Sequence, residues 1–170
     1  MAILNDLKRM AIGASLKREV IALLRSPAVA KIDFRYGTFA VRGDDYHRLA
    51  DDIARGAVGV FADTLSDGSG AEYHNTPLHP HPNSLVLPPD WIGIGVNLGR
   101  QMAVIHEATH ALQDKSARNM NQVAAEAPAF VAEALWRRSR ALAVAFACAY
   151  AIFGAARAAA YLTSKFILER

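Results

Sequence analysis

Apolar residues recur at Ile3, Leu4, Leu7, Met10, Ala11 and Ala14, and then at Val20, Ile21 and Leu24. That spacing is one face of a helix over residues 2–25, stopped by Ser26-Pro27. The period then changes to two. Ile32, Phe34 and Tyr36 alternate with Asp33 and Arg35, which predicts a strand ending near Gly37, and Phe39 to Val41 predicts a second. A helix capped by Asp44 or Asp45 is expected to run to about Arg55, with Gly56 just past its end. Residues 57–62 read as a short strand and 63–70 as a loop centred on Asp67-Gly68. Two further strands are expected, at 72–75 and at Ser84 to Leu87, joined by a proline-interrupted segment.

From Leu98 onward the pattern is helical, over roughly 98–116, 121–137 and 140–168. Ala141 to Ile152 alternates alanine with larger residues, which also fits a strand. Alanine is the strongest helix former, and Leu142, Phe146, Tyr150 and Phe153 form a period-3.6 stripe, so a helix facing the core is expected. The fold class is therefore α+β. One domain over 1–170 is expected, with a mixed part at 1–97 and a helical part at 98–170.

Composition narrows the class. Of the 170 residues 52% are hydrophobic and 21% charged, which suits a packed core and not disorder. The formal charge of +3 comes from scattered Lys and Arg with no aromatic-basic cluster, so no nucleic-acid partner is expected. The lone Cys148 reads as a small buried hydrophobe, and one cysteine cannot close an internal disulfide. The uncharged stretch 141–156 is shorter and richer in alanine than the ~20 strongly apolar residues that span a bilayer, so no membrane partner is expected. The N-terminus lacks a signal peptide's basic start and continuous apolar core.

The chemistry concentrates at His106-Glu107-Ala108-Thr109-His110, inside the expected helix 98–116. Asn97 suits its N-cap, and Leu98, Met102, Ile105, Thr109 and Leu112 give it a core-facing side. Residues four apart share a helix face, so both imidazoles can reach one metal. The intervening Glu107 is placed to act as general base on water. Hydrolytic zinc chemistry needs these parts: two neutral nitrogen ligands, a base and an open coordination position.

A catalytic zinc usually has a third protein ligand. A third histidine in the extended pattern fails, because Gln113 and Ser116 occupy the positions where glycine and histidine would stand. Asp114 is rotated away from His106 and reads as a supporting residue. A glutamate from the next helix remains, and both Glu126 and Glu133 qualify. Pro128 bears on the choice: a proline in a helix interior costs about 3 kcal/mol, but little in the first turn. A start near Ala124 removes the cost, whereas an earlier start predicts a kink near Glu126.

The stretches Ile105 to Asp114 and Glu126 to Phe130 resemble the gluzincin class of zinc metallopeptidases, which use H-E-x-x-H plus a downstream glutamate. More narrowly, the chain is similar to metallopeptidase domains of bacterial secreted effectors and polymorphic toxins, over residues 57–137. The resemblance implies a zincin-like fold with a small N-terminal sheet followed by an active-site helix. It implies Zn2+ held by His106, His110 and Glu126, with Glu107 as base and Glu133 in reserve. Residues 84–87 become the strand that aligns an extended substrate. Tyr73, on the preceding strand, is a candidate to stabilise an oxyanion, with His74 beside it as the alternative. The implied partners are a protein or peptide substrate and a cognate immunity or delivery protein. The implied setting is the bacterial cytoplasm before export without a signal peptide. An inactive binding module and a membrane-active domain are the competing classes.

His79 and His81 are expected on a loop rimming the cleft, His47 on a solvated helix face, and Trp91 and Trp136 as apolar anchors.

Overall fold

The computed structural model describes residues 2–65, 70–116 and 122–153, with the side chains of 2–6, 122–123 and 145–153 left aside. The described residues are α+β, with four α-helices and two small sheets. Helix α1 (Ala2–Leu24) leads through a 3-10 turn into a hairpin of β1 (Asp33–Tyr36) and β2 (Phe39–Arg42). Helix α2 (Gly43–Arg55) follows. Strands β3 (Gly59–Ala62), β4 (Glu72–His74) and β5 (Ser84–Leu87) form a second sheet. Two 3-10 turns precede α3 (Leu98–Lys115), and α4 (Gln122–Phe153) completes the described chain.

The sequence signals explain most boundaries. Asn97 caps α3, its side chain accepting the Arg100 N–H at 3.1 Å. Gly56 terminates α2 in the left-handed region at φ 82°, which glycine adopts without penalty. Helix α2 is capped by Arg42, two or three residues before the expected Asp44 or Asp45. Asp45 is already in its first turn and accepts the Arg42 N–H at 2.8 Å.

Two expectations need correction, and a third falls mostly outside the described residues. Residues 121–137 and 140–168 are not separate helices: α4 runs unbroken through Arg138-Ser139-Arg140, which contains no glycine or proline to stop it. Of the stripe proposed to face the core, Leu142 is half-buried, while the side chains of Phe146, Tyr150 and Phe153 lie outside the described residues. The Asp67-Gly68 turn, Cys148 and the segment beyond Phe153 also lie outside what is described. Finally, Leu7 and Met10 of α1 are exposed, and among its described side chains the core begins around Ile12 and Leu16, where α2 and β3 pack on it.

The second sheet has the order β3-β5-β4, with β3 parallel and β4 antiparallel to β5. All four residues of β5 are buried, as suits a central strand covered on both faces. Its edges are both paired, so residues 84–87 cannot take up an extended substrate by edge pairing. One continuous apolar cluster runs from Leu16 to Trp136 and joins α1, α2, the sheet, α3 and α4. Trp136 is a core anchor as expected, whereas Trp91 is half-buried with the Arg100 guanidinium 5.6 Å from its ring centroid. His47 is half-buried, with Nε2 lacking a hydrogen-bond partner, because its face of α2 is partly covered. Among the described residues no helix is long and apolar enough to cross a membrane.

Gly43 marks the tightest backbone approach, since a Cβ there would meet the Ala30 Cα at 2.5 Å. Gly43→Ala should therefore cost about 1–3 kcal/mol through overpacking. Urea denaturation measures this, and an unchanged midpoint would contradict the close approach.

Candidate metal centre

Helix α3 is held from several sides. Thr109, inside the H-E-x-x-H segment, is fully buried and donates to the Ile105 carbonyl at 2.8 Å. It accepts the Tyr46 hydroxyl of α2 at 2.6 Å. At the end of α3, Lys115 pairs with Asp52 of α2, which Arg55 also engages. These contacts fix the rotation of α3, and with it the face that carries His106 and His110.

Among the described residues, His106, Glu107 and His110 form a group whose donor atoms lie within 4.8 Å of one another. Glu126 reaches the same place from α4. Its Oε2 is 3.0 Å from His106 Nε2 and its Oε1 is 3.6 Å from His110 Nε2. The far side of each ring is engaged as well. His106 Nδ1 lies 2.6 Å from Glu133 Oε1, and His110 Nδ1 lies 2.8 Å from Gln113 Oε1. A carboxylate and an amide oxygen only accept, so both Nδ1 atoms carry the proton and donate. In the neutral rings the Nε2 lone pairs then face the Glu126 carboxylate. Such a convergence of acceptors is self-repelling unless a proton or a metal ion lies between them. Burial lowers the His110 pKa, which favours the neutral, ligating form, against opposing contributions from Gln113 and Glu126.

The two glutamates of α4 thus have different positions. Glu126 addresses both Nε2 atoms and is 41% exposed, while Glu133 addresses only the rear of His106 and is 15% exposed. Pro128 is in the second turn of α4, because the helix begins at Gln122. Phe130, also on α4, sets its ring edge-on to His106 at 4.9 Å and remains open to solvent.

Glu107 is held by the sheet. The Tyr73 N–H on edge strand β4 donates to Glu107 Oε2 at 2.8 Å. Burial pushes the Glu107 carboxyl up to about 7, partly offset by that hydrogen bond. A carboxyl poised near neutrality suits a general base. The Tyr73 hydroxyl is committed elsewhere. It shares its proton between Asn83 Oδ1 at 2.8 Å and Asp114 Oδ2 at 2.9 Å. Burial, and then Asp114, raise its pKa well above the ordinary value, so it stays a phenol. The structure therefore links Tyr73 to the base through its backbone, and links Asp114 to Tyr73.

His79 and His81 gather with His74 on the β4–β5 connection. The His74 and His79 rings stack at 3.5 Å, and His81 stacks on Phe61 at 4.1 Å. They are half-buried, more enclosed than an exposed rim. The sequence reading missed Gln113 as a partner of His110 and gave Glu133 no role beyond reserve ligand. Gln113 stands three residues after His110, a spacing at which helical side chains meet, and that was the available signal.

The Glu107 environment yields a prediction for the metal-free protein. Its carboxyl titrates near 4.5 when exposed and near 7 when folded, so between these values the folded state binds more protons than the unfolded one. Stability due to this group therefore falls as pH rises through that window. Glu107→Gln removes the penalty. In chelator-treated protein its advantage in melting temperature over wild type should grow from pH 4.5 to pH 7.5. Parallel curves would show that Glu107 is not desolvated.

In comparisons with known proteins, the chain matches no family model, no curated protein and no solved structure.

Proposed function

We propose that this chain is a zinc-dependent peptidase domain of the zincin type, with His106, His110 and Glu126 as ligands and Glu107 as general base. The observation that carries this is the paired orientation of the histidines, both Nδ1 atoms engaged by acceptors and both Nε2 atoms turned toward one carboxylate. Nitrogen and carboxylate donors of this kind suit zinc. Zinc, when bound, supplies Lewis-acid polarisation of a carbonyl and of water.

The chain's own residues do the rest. The Tyr73 N–H holds Glu107 Oε2, which leaves Oε1 to take a proton from the attacking water and return it to the leaving amine. A folded-state pKa near 7 serves both transfers. Glu133 and Gln113 keep the two imidazoles in one tautomer and orientation. The Tyr73 phenol, already bonded to Asn83 and Asp114, supports this arrangement from the sheet side. The choice of a peptide bond, and the setting as a bacterial toxin or effector with a protein substrate, come from the sequence resemblance.

Protein purified without chelator and supplied with zinc should hold about one ion per chain by elemental analysis. Glu107→Gln should retain that zinc while losing hydrolysis of a fluorogenic casein substrate. Full activity in the variant would remove Glu107 as base, and loss of zinc would make it a ligand. Chelator competition separates the two glutamates of α4. Glu133→Ala should weaken zinc binding about ten- to a hundredfold, as for a residue that orients a ligand, and Glu126→Ala by more. The reverse order would exchange their roles.

A further inference from the structure

Gln113 is 5% exposed and has both ends of its amide occupied. Its Oε1 accepts from His110 Nδ1 at 2.8 Å. Its Nε2 donates to the Ala125 carbonyl at 2.7 Å. The first contact is with a histidine of α3. The second is with the backbone of α4, one residue before Glu126. No other described side chain bonds both a ring of the histidine pair and the main chain beside Glu126.

A carbonyl oxygen has two lone pairs, so the Ala125 carbonyl can accept the Gln113 side-chain N–H beside a helical bond. An amide is the side chain that fits both contacts, since its oxygen accepts from an imidazole N–H while its nitrogen donates to a carbonyl. A carboxylate in that place would satisfy the first contact and oppose the second.

We propose that Gln113 is a positioning residue that sets the metal ligands of both helices together: it fixes the His110 ring so that Nε2 faces inward, and it anchors the first turns of α4 so that Glu126 meets that ring. This rests on the metal-centre reading above. It adds that one buried amide ties the His110 ring to the main chain of α4 beside Glu126.

The test uses the whole chain, Zn2+ as the probe and two variants. Gln113→Met keeps length and bulk but removes both contacts. Gln113→Glu keeps an acceptor for His110 and loses the donor for Ala125. Zinc affinity is read by chelator competition, and the His110 tautomer of the metal-free protein by nitrogen-15 NMR. Wild type should show His110 protonated at Nδ1. Gln113→Met should lose this preference and bind zinc about ten- to a hundredfold more weakly. Gln113→Glu should keep the tautomer and still bind zinc more weakly, because Glu126 is no longer held in register. The loss caused by Gln113→Met should shrink clearly in a Glu126→Ala background, where the route through α4 has been removed. Wild-type affinity in Gln113→Glu, or an undiminished loss in the Glu126→Ala background, would overturn the anchoring of α4. An unaltered His110 tautomer in Gln113→Met would overturn the rest. Should Gln113→Met fail to fold, the Gln113→Glu comparison decides alone. If wild type binds no zinc, the metal reading fails, and the tautomer measurement still judges the contact with His110.

Discussion

The packing of α3 against α4 is the constraint on which the candidate site depends. Ala108 and Ala111 on α3, and Ala129 and Ala132 on α4, are fully buried. Small side chains let helix axes approach closely, within the 8–10 Å range of packed helices. At that separation a glutamate on α4 can reach histidine rings on α3, as Glu126 and Glu133 both do. Larger residues at these alanines would push the carboxylates out of reach without touching a polar group. The apolar contact thus comes first and the polar geometry follows from it.

Much of this was legible in the chain. The helix carrying the histidines, its Asn97 cap and the shared face of His106 and His110 follow from a 3.6-residue period and one capping residue. The two hairpin strands and the Gly56 terminus of α2 were likewise local signals. What was not legible is non-local. The interior place of β5 depends on β3 joining it in parallel across an intervening strand, and nothing within residues 84–87 encodes that pairing. The division of labour between Glu126 and Glu133 was equally hidden. Both lie on one helix at compatible spacing, and only the packing angle assigns one to the Nε2 atoms and the other to the Nδ1 of His106. The continuity of α4 through Arg138-Ser139-Arg140 differs from the expected two helices, and arginine favours helix with no glycine or proline there to end it.

The site also shows how a fold positions a carboxylate whose charge it does not fully solvate. Burial raises the Glu107 pKa, and one backbone N–H from β4 partly compensates. That donor comes from the main chain of an edge strand and is retained by any residue at position 73 other than proline. The electrostatic setting of Glu107 therefore depends on strand placement, and so on the pairing of β4 with β5.

Tyr73 touches α3 at two places, through its N–H at Glu107 and through its hydroxyl at Asp114. Those residues are seven apart, about 10 Å along a helix at 1.5 Å per residue. One residue of β4 is thus tied to two separate turns of α3, and shifting it along the helix breaks at least one of the two bonds. On the α4 side of the histidine pair Phe130 is exposed and Glu126 partly so. Glu107 is therefore braced by main chain on the sheet side, while the exposed groups beside the histidines belong to α4.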